Sequence, residues 1–133
     1  MTNEERDALL AAARGARKNA YAPYSHFTVG AALLAEDGRI YVGCNVENAA
    51  YSPTLCAERV ALGSAVAGGA RRILAAAVVG GHGEEEPCAP CGVCRQALSE
   101  LMAPDAPVLF RTEDGMTELP LSALLPHTFR LKK

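Results

Sequence analysis

The chain has 133 residues, half of them apolar and 21% charged, with a formal net charge of -2. A chain this long holds one domain, because two would each lack a useful core. Its Lys and Arg cluster only in short pairs such as Arg17-Lys18, Arg71-Arg72 and Lys132-Lys133, which argues against a nucleic-acid partner. The apolar run Ile73 to Val79 is far short of the ~20 residues a membrane-spanning helix needs.

The N-terminal residues are acidic and polar where a signal peptide is basic and then apolar, so a cytoplasmic protein with no membrane partner is expected. Thr2 and Glu5 form a capping-box pattern that opens a helix over 3–20, closed by Tyr21-Ala22-Pro23-Tyr24. A strand over 27–35, the turn Asp37-Gly38 and a returning strand over 39–46 make a hairpin. After a loop over 48–54, residues 55–68 read as a helix that stops at Gly68-Gly69. Ile73 to Val79 is a continuous apolar run suited to a buried central strand.

An acidic loop over 80–87 follows, then a helix over 91–102 that ends before Pro104. Strands over 108–112 and 116–119 flank the turn Asp114-Gly115, and Ser122 is placed to cap a last helical turn before Pro126. The order α-β-β-α-β-α-β-β-α describes a mixed sheet with helices packed on it. If the strands leading into the second and third helices run parallel, both helix N-termini reach one sheet edge, where open α/β sheets bind ligands.

Those two helix starts carry the chemistry. Five cysteines in an intracellular chain point to metal or catalysis before disulfides. Cys56-Ala57-Glu58-Arg59 and Pro90-Cys91-Gly92-Val93-Cys94 supply three thiols for one Zn²⁺ with the fourth position open, the catalytic arrangement of zinc. Pro87-Cys88-Ala89-Pro90-Cys91 is an overlapping register, but Pro90 disfavours helix at Ala89, so Cys91 and Cys94 are the chosen pair and Cys88 is a spare. If Cys88 joined the other three the site would be closed and structural.

Glu58 reaches the open position only if Cys56 sits at a non-helical entry to its helix. Three thiolates leave the centre with excess negative charge. Arg59 is a candidate to offset it, and Arg95 a weaker one. Strand alternation puts Asn45 and Glu47 on one face and Cys44 on the other, as a small buried hydrophobe. His26, His82 and His127 have no paired ligand spacing.

Cys56-Ala-Glu58 with Pro90-Cys91-x-x-Cys94-Arg-Gln resembles the zinc signature of the cytidine deaminases in their small three-cysteine form. Tyr21-Ala-Pro-Tyr-Ser25 with Phe27, Val29-Gly-Ala-Ala-Leu33, Gly43 to Ser52 and Leu124-Leu-Pro126 with Phe129 extend that resemblance over nearly the whole chain. It implies a three-layer cytidine-deaminase-like α/β fold over 1–133, a mixed sheet of about five strands with helices on both faces.

The resemblance further implies one Zn²⁺ per subunit and hydrolysis of cytidine and deoxycytidine to the uridine nucleosides, in pyrimidine salvage. Zinc hydroxide would attack C4, with Glu58 as proton shuttle. Asn45 and Glu47 match the residues that hold the ribose, Phe27 the aromatic near sugar and base, and Ala57 a backbone contact to the base. Ala49, Tyr51 and Phe129 match positions that cross between subunits of a homotetramer. Pro53-Thr54-Leu55 and Glu84-Glu85-Glu86 depart from the family pattern. A blasticidin S-type deaminase and a non-catalytic four-cysteine zinc module are the alternatives.

Overall fold

The computed structural model describes residues 1–133. Thr2 caps helix α1 (Asn3–Arg17): its hydroxyl accepts from the Glu5 amide at 3.1 Å while Glu5 accepts from the Thr2 amide at 2.8 Å. This reciprocal box satisfies two amides that a helix start leaves unpaired. The hairpin β1 (Thr28–Ala35) and β2 (Ile40–Cys44) follows, then α2 (Ala57–Ala67), β3 (Ile73–Gly81), α3 (Gly92–Ser99), β4 (Pro107–Thr112), β5 (Gly115–Pro120) and the single turn α4 (Leu121–Leu124).

One five-stranded sheet has the order β2-β1-β3-β4-β5. β1 is antiparallel to both β2 and β3, and β4 is parallel to β3. β2 and β3 therefore point the same way although β1 lies between them, and the chain leaves both at one edge before entering α2 and α3. The expected convergence of the two helix N-termini holds.

Period-two alternation along the strands feeds two cores. Ala32, Leu34, Ala75, Ala77, Val79 and Leu109 pack against Leu9, Leu10 and Ala13 of α1. Ala31, Leu33, Ile73, Val78 and Val108 pack against Ala57, Ala61 and Ala65 of α2 and Leu98 of α3. The result is three layers, with helices on both faces of the sheet. Small residues let the layers approach closely: a Cβ on Gly43 would lie 2.4 Å from both Ala57 O and Ala61 N. This contact seats the first turn of α2 on the end of β2. No helix is long and apolar enough to cross a membrane.

Several boundaries differ from expectation. α1 ends at Arg17 rather than residue 20, and α3 runs over Gly92–Ser99 rather than 91–102. Ser122 lies inside α4, whose N-cap is Pro120. β2 stops at Cys44, so Asn45 and Glu47 are not strand residues, and Cys44 is half-buried rather than buried.

Candidate active site

The entry to α2 is fixed by a short extended pairing. Leu55 and Val46 exchange both backbone hydrogen bonds at 2.9 Å, which holds the chain extended until Cys56. Cys56 is the N-cap, with φ -76° and ψ 149°, and Cys91 is the N-cap of α3, with φ -69° and ψ 167°. Neither cap side chain takes a backbone amide of its helix, so both sulfurs can turn toward a shared point. Cys94, within α3, is buried.

The three Sγ atoms lie within 4.8 Å of one another, with Cys56 and Cys91 4.0 Å apart. Three soft sulfur donors in a closed triangle suit zinc, and the two positive helix ends favour the negative charge they carry once deprotonated. Cys88 is outside the triangle; it is half-buried, and burial pushes its thiol up to about 11. The four-cysteine closed site therefore has no support in the geometry.

A hydrogen bond with Cys94, joined by Arg59 and Cys91, pulls the Cys56 thiol down to about 5. The same bond to Cys56, with burial, pushes Cys94 far upward. Zinc binds thiolates, and the lowered Cys56 pKa favours that form at one of the three sulfurs.

Glu58, the second residue of α2, is only 5% exposed. Burial first, and then the nearby Cys56 charge, raises its carboxyl above the usual range. The non-helical Cys56 is what lets a residue two positions on share its site. Arg59 Nη2 lies 3.8 Å from Cys56 Sγ and donates to Thr54 O at 3.4 Å. Arg95 instead donates to the carbonyls of Pro90 at 2.7 Å and Leu124 at 2.9 Å, which ties the α3 entry to α4. Arg59 is the arginine at the sulfurs.

A cavity of about 180 Å³ opens above this cluster, lined by Val29, Asn45, Glu47, Cys56, Ala57 and Glu58 among others. Glu47 also borders a wider cleft of about 430 Å³ that includes Tyr24, Ser25 and Tyr51. The Glu47 carboxylate accepts from the amides of Tyr24 at 3.0 Å and Ser25 at 3.1 Å, and from the Ser25 hydroxyl. These bonds, Ser25's foremost, lower its pKa.

Asn45 is buried, and its amide accepts from Val29 N and donates to Phe27 O, each at 2.8 Å. The Phe27 ring meets His82 edge-on. Ala49, Tyr51 (79% exposed) and Phe129 (66% exposed) are on the surface and do not line the smaller cavity. Ser25 and His82 were not among the expected site residues. Ser25 lies in the quoted Tyr21–Ser25 motif, whereas His82 has no sequence signal beyond its place in the acidic loop.

Residues 3–109 match the family model described as the cytidine and deoxycytidylate deaminase zinc-binding region. The chain is 50% identical over 122 residues to a cytidine deaminase of Sporosarcina psychrophila, covering 91% of this chain and 88% of that protein. It is 45% identical over 126 residues to one from Halalkalibacterium halodurans, covering 94% of each. Among solved structures, cytidine deaminase from Burkholderia pseudomallei superposes with a TM-score of 0.83 at 48% identity, covering 97% of this chain and 100% of that one. Cytidine deaminase from Mycobacterium tuberculosis superposes with a TM-score of 0.82 at 42% identity, covering 96% and 98% respectively.

Proposed function

The chain belongs to the cytidine and deoxycytidylate deaminase family, and from that premise we propose that it deaminates cytidine and deoxycytidine hydrolytically. The observation that carries this reading is the buried Glu58 carboxyl beside three converging thiols on two helix N-termini. Cys56, Cys91 and Cys94 would hold one Zn²⁺. When bound, zinc supplies the Lewis acidity that makes water a nucleophile at neutral pH.

Glu58 would take a proton from the attacking water and deliver it to N3 of the pyrimidine, then take the second proton from the hydroxyl now on C4 and pass it to the amino group, which leaves as ammonia as the C4 carbonyl forms. Its raised pKa suits a group that must both accept and return a proton near neutrality. Arg59 donates to the Cys56 sulfur and offsets the negative charge of the thiolates. Glu47, held rigid by Tyr24 and Ser25, accepts from ribose hydroxyls. Asn45 flanks the same wall, Ala57 offers its backbone to the base, and Phe27 packs near sugar and base.

The cavity above the thiols shares Glu47 and Thr54 with the wider cleft that Tyr51 lines. Ala49, Tyr51 and Phe129 are exposed in one chain. Both features support a homotetramer in which neighbouring subunits complete each site. The free cysteines and the thiol-based metal site support a cytoplasmic enzyme, and family membership supports a place in pyrimidine salvage.

The test follows ultraviolet absorbance as zinc-loaded protein meets cytidine, with Glu58→Gln alongside. Loss of the cytidine spectrum by wild type only is the expected result. Wild-type protein that leaves cytidine unchanged would remove the nucleoside assignment.

A further inference from the structure

Between Gly80 and Cys88 the chain makes an excursion that none of the roles above uses. It leaves β3, turns, and comes back so that the Glu86 amide donates to Gly80 O at 2.8 Å. Glu86 then reaches across its own loop. Its Oε2 accepts from the His82 backbone amide at 2.5 Å and lies 2.8 Å from His82 Nδ1. Two contacts to one carboxylate oxygen fix both the backbone and the ring of a residue at the surface.

The ring so fixed is aimed at Phe27. The two ring centroids are 5.0 Å apart and the planes cross at 86°, the edge-to-face arrangement that aromatic quadrupoles favour. On another side Phe27 presses against bare backbone: a Cβ on Gly80 would come within 2.8 Å of Phe27 Cε1 and 2.8 Å of Cys88 Sγ. The Phe27 ring thus has a floor at Gly80 and a brace at His82.

The backbone of Phe27 is tied to the other nucleoside-facing residues. Its carbonyl accepts from Asn45 Nδ2 at 2.8 Å and its amide donates to Ser25 Oγ at 3.0 Å. That Ser25 hydroxyl is the one bonded to the Glu47 carboxylate. Asn45, Glu47 and Phe27 therefore form one hydrogen-bonded unit, and the His82 ring bears on its aromatic member from the loop.

We propose that His82, oriented by Glu86, is a positioning residue that sets the Phe27 ring for nucleoside binding. The inference rests on the nucleoside-deaminase reading and deepens it. The loop itself is anchored well away from the thiols. Arg14 of α1 donates to Glu85 through two nitrogens at 2.6 and 3.2 Å, and Arg111 of β4 adds a contact at 3.4 Å. Held by α1 and β4, the loop keeps His82 in place whether or not substrate is present. His82 acts on binding through Phe27 and has no part in proton transfer, so its loss falls on KM and leaves kcat.

The experiment compares steady-state kinetics on cytidine for zinc-loaded wild type, His82→Ala, His82→Phe, Phe27→Leu and the His82→Ala/Phe27→Leu double variant. Calorimetry measures cytidine affinity in the Glu58→Gln background. His82→Ala raises KM and the dissociation constant by about three- to ten-fold, the scale of one aromatic pair, with kcat within about two-fold. His82→Phe, which keeps the edge-to-face contact, restores KM. In the Phe27→Leu background, His82→Ala adds less than about two-fold, because the two residues act as a unit.

An unchanged KM in His82→Ala overturns the proposal, and so does an equal rise with and without Phe27. A fall in kcat at constant KM also overturns it. Failure of the nucleoside reading itself looks different: wild-type protein would then neither bind nor convert cytidine.

Discussion

The side-chain amide of Asn45 donates to the carbonyl of Phe27 at 2.8 Å while accepting from Val29 N. Asn45 therefore stitches the end of the β1–β2 hairpin to the segment that carries Phe27. Removing the side-chain amide leaves Val29 N of β1 and Phe27 O just before it short of a partner. Asn45→Ala is expected to lower unfolding stability by about 1–3 kcal/mol as well as to weaken nucleoside binding. Chemical denaturation of metal-loaded protein checks the first and KM the second. A change in KM alone would mean that Asn45 serves substrate only.

Glu58→Gln keeps the volume of the side chain and removes its proton-carrying capacity. Turnover should fall by at least about 10²–10⁴-fold, with zinc content and the thermal transition preserved. Atomic absorption and a melting curve on the same sample distinguish this from a folding defect.

Arg59 and Arg95 each follow a cysteine ligand in sequence, yet only Arg59 touches a sulfur. Arg59→Gln should cost about 10–100-fold in activity or zinc affinity, the usual effect of losing a ligand's outer partner. Arg95→Gln should chiefly lower thermal stability, by releasing the Pro90 and Leu124 carbonyls. The pair of melting curves and zinc titrations tells the two roles apart.

Metal removal has a thiol signature. With zinc bound, only Cys44 and Cys88 of the five cysteines are unliganded, and Cys88 reacts slowly because burial pushes it up to about 11. A strong chelator should release one zinc per chain and add three titratable thiols. Four thiols appearing together would point to Cys88 as a ligand.

The Arg14–Glu85 pair predicts an acid-sensitive contribution. The Arg14 guanidinium holds the Glu85 carboxyl below its usual value. A depressed folded-state pKa adds stability above the unfolded value of about 4.3 and loses it as pH falls through the folded value. Solvent screening limits the effect to about 0.2–1 kcal/mol. Glu85→Gln should therefore be less stable than wild type at pH 7 and equal to it once the carboxylate of the wild type is protonated.

What the sequence made legible was local. Thr2 and Glu5 announce their capping box, and the two Pro–Cys registers resolve in favour of Cys91 because Pro90 stands just before a helix. Cys56 had to sit at an extended entry for Glu58 to share the site, and it does. Contacts made across the fold were not legible. Arg14 and Glu85 are 71 residues apart, and nothing local links His82 to Phe27.

Asn45 and Glu47 were expected to be neighbours along a strand. Instead β2 stops at Cys44: the Asn45 side chain takes the Val29 amide that a strand carbonyl would otherwise accept, and the Asn45 carbonyl turns to Tyr21 N. Ser122 has the right chemistry for a cap, but Pro120, lacking an amide and held near helical φ, occupies the entry instead.

The direction of β1 also divides the molecule into a working rim and an idle one. β1 begins beside Phe27 and carries the chain away from the thiols, so the Asp37-Gly38 turn lies at the opposite edge of the sheet. Glu36 anchors the flank there, its amide donating to Arg72 O at 3.1 Å and its carboxylate accepting from Arg71 N at 2.9 Å. That turn is a natural place for attachment. A peptide tag or surface tether inserted after Gly38 should leave cytidine turnover intact, since no residue assigned to the chemistry lies on that side.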